Sequence, residues 1–343
     1  MLIPSRTVKN RHNIIIAGDA QAISDLSRFF IQKRIRYHVH GVVLLPGEEG
    51  LPVNPEAPLQ FRNLGAIVEI PALLEKNSID ELFIVLPAPC FNAAIRELVE
   101  CCLGMGVVCH IPVTISGYEK YKSILQEWPP FSLRTLYTGS LYQNPSLKVK
   151  YCFDFYMSLL LLLLLIPVFM IIALLIVISS GWPVIFVHRR VGYNRRIFNM
   201  IKFRTMVKNA EAMQAELESL NEADGAAFKI AGDPRITRFG KWLRKMSLDE
   251  LPQLVNVLLG DMSLVGPRPL PVRDVSKIEH RWQYRRFSAL PGMTCTWQTS
   301  RRYEMPFDEW AKLDLEYIDN WSIGIDLKIL LRTIPAVLIG KGR

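Results

Sequence analysis

The chain has 343 residues, long enough for two domains; half of its residues are hydrophobic and its formal net charge is +9. Residues 1–147 hold 13 basic and 13 acidic side chains, so the whole positive excess lies from Lys148 onward. A basic C-terminal half points to anionic lipid headgroups, phosphorylated substrates or both, and with no aromatic-basic RNA motif or zinc-finger spacing, nucleic acid is excluded as an expected partner.

The N-terminus lacks the apolar run of a secretory signal. The six cysteines include no CxxC pair and the histidines lack ligand spacing, so reduced, buried cysteines in a cytosolic domain are expected. "NIIIAGD" (13–19) reads as a buried strand, and "AISDLSRFFIQKR" follows with helical spacing. Strands are then predicted at "VHGVVLL" (39–45), "GAIVEI" (65–70), "DELFIVLP" (80–87) and "VVCHIP" (107–112). Helices are predicted at "PALLEKNS" and "NAAIRELVECCLGMG" between them. This alternation predicts an α/β, Rossmann-like domain over residues 1–113. Its first turn, Gly18-Asp19-Ala20-Gln21-Ala22, has one glycine and an acid where a dinucleotide fingerprint needs closely spaced glycines. Tyr118 and Lys122 match a dehydrogenase spacing, but the cofactor loop is absent. A regulatory or oligomerising role is therefore expected, with a homodimer surface as a candidate. Residues 114–147, with Pro129, Pro130 and Pro145, read as a linker.

From Phe155 to Val187 there is no formal charge over 33 residues, more than the roughly 20 that a membrane helix needs. Pro167 interrupts the run near its middle. Lys148 and Lys150 flank one end, and Arg189, Arg190, Arg195 and Arg196 the other. Positive charge favours the cytosolic side. A re-entrant hairpin over 148–187, broken at Pro167, keeps both flanks there and is favoured; a kinked single span is the alternative.

Beyond it, residues 188–343 predict a mostly helical domain. "MIKFRTM" (200–206) brings Lys202 and Arg204 onto an apolar frame, and "AEAMQAELESL" (210–220) has helical spacing. Arg238, Lys241, Arg244 and Lys245 surround Phe239, Trp242 and Leu243, the pattern of an interfacial amphipathic helix. Asp249 and Glu250 follow. They read either as a capping box with Ser247 as N-cap, or as an ionised nucleophile beside a second acid able to help bind a divalent metal. Near a helix N-terminus both would be held ionised. Arg268, braced by Pro267 and Pro269, suits bidentate contact with phosphate oxygens.

"KFRTM", "GDPRITRFGKWLRK", "SLDELPQLVNVLLGDMSLVGPRP", "LPGMT" with Trp297 and Gln298, and "DLEYIDNWSIGIDLKILLRT" resemble, in order, the blocks of the bacterial sugar transferases of the monotopic phosphoglycosyl transferase superfamily. The N-terminal region resembles the Rossmann-like domain of the larger members, which usually carry several membrane helices ahead of it; these are not seen here. The resemblance implies a membrane-embedded catalytic domain and transfer of a sugar-1-phosphate from a nucleoside diphosphate sugar, with uridine as the expected nucleotide, to polyprenyl (undecaprenyl) phosphate. Such a step starts exopolysaccharide, O-antigen or other glycoconjugate assembly. By the same resemblance Asp249 attacks phosphorus and carries a covalent phosphosugar, Glu250 assists, and Mg2+ is required at Asp249 and Glu250. Arg268, Lys202, Arg204 and Arg235 are then expected at the substrate phosphates, with the enzyme on the cytosolic face of the bacterial inner membrane. Three departures stand out: Ile166-Pro167 where a serine usually precedes the proline, Asn194-Arg195-Arg196 where a glycine-containing turn is typical, and Cys295 and Arg301 in place of small residues.

Overall fold

A computed structural model describes residues 12–35, 37–44, 62–86, 90–210, 212–217, 230, 232–299 and 305–338. The expected departure at Arg301 and residues 211 and 218–220 of the helix expected over 210–220 lie outside the described residues; within that span, Gln214–Leu217 is a turn of helix. The chain divides into two compact units. One takes in residues 10–142 and 280–288; the other takes in 143–279 and 289–343.

The first unit is a mixed sheet in the order β2-β1-β3-β4-β6-β5. β1 (His12–Gly18), β2 (Tyr37–Leu44), β3 (Glu81–Val85) and β4 (Val108–Pro112) are parallel. α1 (Ala20–Gln32), α2 (Ile70–Lys76) and α3 (Ala93–Gly104) are its helices. The near-continuous apolar runs of β1 and β3 are buried, as parallel strands between helices require. Ile14, Ile16, Ile23, Leu26, Phe30, Phe83 and Val85 form the core on the α1 side. Gly18 is a packing glycine, because a Cβ there would strike the side chain and carbonyl of Val85. Asp19 caps α1, its Oδ1 accepting from the Ala22 amide at 2.7 Å.

Two sequence expectations are corrected in this unit. Residues 65–70 are not a strand: Gly65 is left-handed (φ +94°), and Glu69 folds back to accept from the Ala66 amide at 3.0 Å, giving a 3-10 turn that runs into α2. The expected linker carries β5 (Lys122–Trp128) and β6 (Phe131–Tyr137), an antiparallel hairpin whose β6 pairs with β4. Pro129 and Pro130 occupy the turn between these strands, where no ladder amide is needed. Leu133, Thr135 and Leu136 are buried, so the segment is part of the core. Residues 281–288, from within the expected catalytic domain, also belong to this unit; Arg281 pairs with Glu75 at 2.8 Å and Phe287 is buried.

The second unit begins with α4 (Ser146–Leu164) and α5 (Ile166–Ser180), bent by 61° at the break before Pro167. No single helix among the described residues is long and apolar enough to cross a membrane; this bent pair passes that test only together. Its burial is inverted. α4 buries Lys150, Asp154 and Ser158, while Leu160, Leu163 and Leu164 are exposed. α5 buries Ile172 and Ile176 against Val184, Phe203 and Leu243, and exposes Met170, Ile171, Leu174 and Ile178.

The rest of the unit is mostly helical, as expected, with short strands between the helices. β7 (Ile185–Val191) and β8 (Ile197–Phe203) form an antiparallel ribbon edged by β10 (Leu270–Pro271). Asn194 and Arg195 at its turn have positive φ, which explains why a glycine suits this place and costs about 1 kcal/mol for an ordinary side chain. α6 is the Gln214–Leu217 turn, followed by α7 (Arg238–Lys245), α8 (Gln253–Leu259), β9 (Ser263–Val265) and α9 (Val272–Val275). β11 (Gly292–Thr294) pairs with β9, and α10 (Thr296–Thr299), α11 (Phe307–Asn320) and α12 (Ile323–Leu338) complete the unit.

Candidate active site

α7 ends at Lys245, and Ser247, with a left-handed backbone (φ +55°), turns the chain into a 3-10 turn, Leu248–Glu250. The capping-box reading fails here. Ser247 makes no side-chain cap, and the Glu250 carboxylate turns instead to two cations. Lys202 Nζ donates to Glu250 Oε1 at 2.7 Å, and Arg268 Nη2 donates to the same oxygen at 2.6 Å. Burial works to raise the Glu250 pKa, but Arg268 and Lys202 outweigh it and hold the carboxyl well below the usual range. These cations, rather than a helix terminus, fix the charge of Glu250.

Lys202 lies 48 positions before Glu250, and a buried asparagine sets that meeting. Asn256 on α8 accepts from the Ile201 amide at 3.0 Å and donates to the Asn199 carbonyl at 2.8 Å. It clamps α8 to β8 like an added strand, which fixes the register of Lys202 against Glu250. The neutral amide can do this because it both donates and accepts.

Asp249 is 8% exposed, and among the described residues none forms a hydrogen bond or ion pair with its carboxylate. Burial raises its pKa, and the Glu250 charge adds to the rise; Lys202, Arg244 and Arg268 pull the other way without cancelling it. The two adjacent acids are thus driven apart in acidity by their surroundings, one locked as a counter-ion and one left free.

Arg244 and Arg190 belong to the same field and were not singled out from sequence. Arg244 on α7 donates Nε to Thr205 Oγ1 at 2.9 Å and lowers Asp249. α7 comes this close because Gly240 lies against the Thr205 carbonyl, where a Cβ would collide. Arg190 donates Nη1 to the Pro269 carbonyl at 3.0 Å. Its Nε donates to His188 Nδ1 at 3.1 Å, so that ring is neutral; burial, with Arg190 and Lys202 nearby, pushes it down to about 4. Phe186, His188 and Arg190 alternate on β7, opposite Lys202, Met200 and Phe198 on β8. That period of two is the signal that could have placed Arg190 on the same face as Lys202.

Arg204 and Arg235 are not brought to the dyad. Arg204 is buried; its Nη2 donates to the Ser180 carbonyl at 2.8 Å and to the Gly181 carbonyl, closing the end of α5. Arg235 is buried with Asp233, Nε to Oδ1 at 2.8 Å, and its Nη1 reaches toward the Ala210 carbonyl. Neighbouring alternate positions explain the split at "KFRTM": Lys202 faces the site, Phe203 the apolar core and Arg204 leaves the strand.

Among the described residues no three His, Cys, Asp or Glu side chains gather to hold a metal. The donor set present is Asp249 with Glu250 Oε2, which lies 3.4 Å from Arg268 Nη1 and is less committed than Oε1. Magnesium usually keeps several waters and takes one or two carboxylates plus substrate phosphates, so this pair fits an ion that arrives with a diphosphate.

A buried acid pair thus lies in the field of four cations, Lys202, Arg190, Arg244 and Arg268. The family model described as bacterial sugar transferase matches residues 145–340. The chain belongs to the bacterial sugar transferase family. It is 38% identical over 268 residues to the galactosyl transferase CpsE of Streptococcus agalactiae serotype III, covering 77% of this chain and 59% of the relative. It is 34% identical over 287 residues to the undecaprenyl-phosphate glucose phosphotransferase of Komagataeibacter xylinus, covering 81% and 52%. It is 42% identical over 170 residues to the undecaprenyl-phosphate galactose phosphotransferase of Salmonella typhimurium, covering 48% and 36%. The chain thus spans between about a third and three-fifths of these relatives.

Proposed function

We propose that this chain moves a sugar-1-phosphate from a nucleoside diphosphate sugar, with uridine as the nucleotide, to polyprenyl phosphate at the cytosolic face of a bacterial membrane. The observation that carries the reading is the uncommitted, buried carboxylate of Asp249 beside a Glu250 already neutralised by Lys202 and Arg268. Asp249 attacks the phosphorus that bears the sugar. The bond from that phosphorus to the nucleotide's bridging oxygen breaks, and the nucleoside monophosphate leaves with the electron pair. A phosphate oxygen of the lipid then attacks the same phosphorus and frees the aspartate, giving a polyprenyl diphosphate sugar. Lys202 and Arg268 stand where phosphate oxygens gather charge, and Arg268 offers a planar fork to them. A magnesium ion bound with the diphosphate by Asp249 and Glu250 would offset its negative charge.

α4 and α5 carry the membrane reading. A helix that buries lysine and aspartate and exposes leucine is matched to lipid, since only an apolar medium leaves its outer face stable. Pro167 breaks the pair, and basic residues flank both ends. We read it as a re-entrant element that holds the dyad at the headgroup plane, where polyprenyl phosphate presents its charge. Tags placed before Lys148 and after Arg343 are expected to be digested from the same face of sealed inverted vesicles. Digestion from opposite faces rules out the re-entrant geometry in favour of a span.

Incubation with polyprenyl phosphate, magnesium and a panel of labelled nucleotide sugars tests the function directly: label enters the lipid for one or more donors. No transfer from any donor, by protein that binds membranes and is folded, contradicts the reading. The sugars in the relatives' names are galactose and glucose, so both belong in the panel.

The pH profile gives a second check. Asp249 must be ionised to attack, and burial raises its pKa above the ordinary value of about 3.9. Activity is therefore expected to fall on the acid side at a pH above that value. Lys202→Met removes a cation that lowers Asp249, so it should move this limb to higher pH. A limb at or below pH 3.9, or a shift in the opposite direction, contradicts the assignment of Asp249.

A further inference from the structure

A buried ion cluster at the root of α4 lies apart from the dyad and is unused by the mechanism above. Lys150 Nζ donates to Asp326 Oδ2 of α12 at 2.6 Å and to the Val265 carbonyl at 3.0 Å, and lies 3.8 Å from Asp154 Oδ2. The Tyr317 hydroxyl of α11 is 2.8 Å from Asp326 Oδ1 and 3.1 Å from the same Val265 carbonyl. Trp321 Nε1 donates to Asp326 Oδ2 at 3.1 Å. The Ser263 hydroxyl is 2.7 Å from Asp154 Oδ2 and 2.9 Å from the Val265 oxygen. One backbone carbonyl, three residues before Arg268, therefore sits among three donors.

The loop that follows is tied at each step. The Gly266 amide donates to the Thr294 carbonyl at 3.0 Å, the Gly292 amide donates to the Pro267 carbonyl at 2.9 Å, and Arg190 holds the Pro269 carbonyl. Pro267 and Pro269 fix their own φ on either side of Arg268. Of these ties only the one at Val265 is built from buried charges. Stability alone does not account for it, since replacing a buried ion pair with well-packed apolar groups is often neutral or stabilising. What the cluster supplies is direction: a carbonyl pinned by side chains from two helices and a strand.

We propose that Lys150, Tyr317 and Asp326 form a positioning set for Arg268, acting through the Val265 carbonyl. They do not touch the reacting phosphate. They hold the start of the Val265–Pro269 loop so that the guanidinium meets both Glu250 and the substrate without searching for its place. The first arm of the membrane helix pair thereby bears directly on the phosphate-binding loop. The proposal rests on the reading of Arg268 as a phosphate-binding residue.

A double-mutant cycle on the full chain tests it. Misplacing a binding group by about 1 Å can cost about 100-fold in rate, and Lys150→Met is expected to lower kcat/KM by that order. In the Arg268→Ala background the same substitution should cost less than about 3-fold more, because residues acting as one unit are not additive. Full additivity, or an unchanged Lys150→Met, overturns the proposal. Lys150→Met leaves two buried carboxylates, so Tyr317→Phe serves as the milder variant: a loss of about 5-fold is expected that likewise vanishes in the Arg268→Ala background. Amide hydrogen exchange gives a readout independent of turnover. In Tyr317→Phe the Val265, Gly266 and Arg268 amides should exchange about 10-fold faster while those of β8 are unchanged; equal exchange in variant and wild type overturns the anchor. If the wild type transfers no sugar phosphate, the functional reading fails, and the exchange result alone decides the anchor.

Discussion

Asp249→Asn is expected to lower transfer by about 10⁴-fold or more, the scale seen when a nucleophile that forms a covalent intermediate is removed. The amide has nearly the shape of the acid and no negative oxygen with which to attack phosphorus. The substitution is also expected to leave the fold intact and somewhat more stable. Burial and the adjacent Glu250 raise the Asp249 pKa, so the ionised form present at neutral pH is less favourable in the folded chain than in the unfolded one. Removing that charge should therefore raise stability. Thermal or denaturant midpoints, read beside labelled-lipid formation, check both halves. Retained transfer, or loss of transfer with collapse of the fold, contradicts the role given to Asp249.

Glu250→Ala is expected to act in the opposite sense on stability. Its carboxylate is the shared partner of Lys202 and Arg268, whose side chains are 14% and 30% exposed. Without it two adjacent cations are left partly buried and mutually repelling, and a loss of about 3 kcal/mol is expected. Transfer should fall with it, because both cations are then free to move from the phosphate position. The pH dependence has a definite sign. The folded-state pKa of Glu250 lies below its unfolded value of about 4.3, so its contribution is fully present above that value and is lost as the pH falls toward the folded pKa. The gap in unfolding midpoint between wild type and Glu250→Ala should therefore be widest at neutral pH and narrow below about pH 4. A gap that is absent at pH 7, or that grows in acid, contradicts the ion triad.

The residue types at the site were legible in the sequence, but not all of their partners. Asp249, Glu250 and Arg268 stand out as an acid pair followed by a proline-braced arginine, and local composition suffices to see them. That Lys202, rather than Arg204, reaches Glu250 depends on strand register, which Asn256 sets from 55 residues away. Arg204 carries the same charge two positions later, yet it closes α5, because the strand ends and the chain turns there. Arg190 and Arg244 looked like general basic surroundings; only the pairing of β7 with β8 and the close approach of Gly240 put them near the dyad.

The same division runs through the fold. Strands β1, β3 and β4 were readable because both faces are buried and their apolar runs are continuous. β5 and β6 were hidden by Pro129 and Pro130, which signal a break but here form the turn of a hairpin. Residues 65–70 have strand-like composition, and the left-handed Gly65 with the inward fold of Glu69 overrode it. Lys150 reads, with Lys148, as flanking charge at the start of an apolar run. The burial of Lys150 against Asp326 follows from a contact across more than 150 residues, which no local pattern carries.

The central claim is that Asp249 takes the phosphosugar before the lipid does. Protein mixed with magnesium and a labelled nucleotide sugar, with no polyprenyl phosphate present, tests it most directly. The account predicts release of up to one nucleoside monophosphate per enzyme and a sugar-phosphate adduct on the peptide containing Asp249, both lost in Asp249→Asn. Nucleoside monophosphate release that begins only when the lipid is added, with no adduct on the protein, would contradict it.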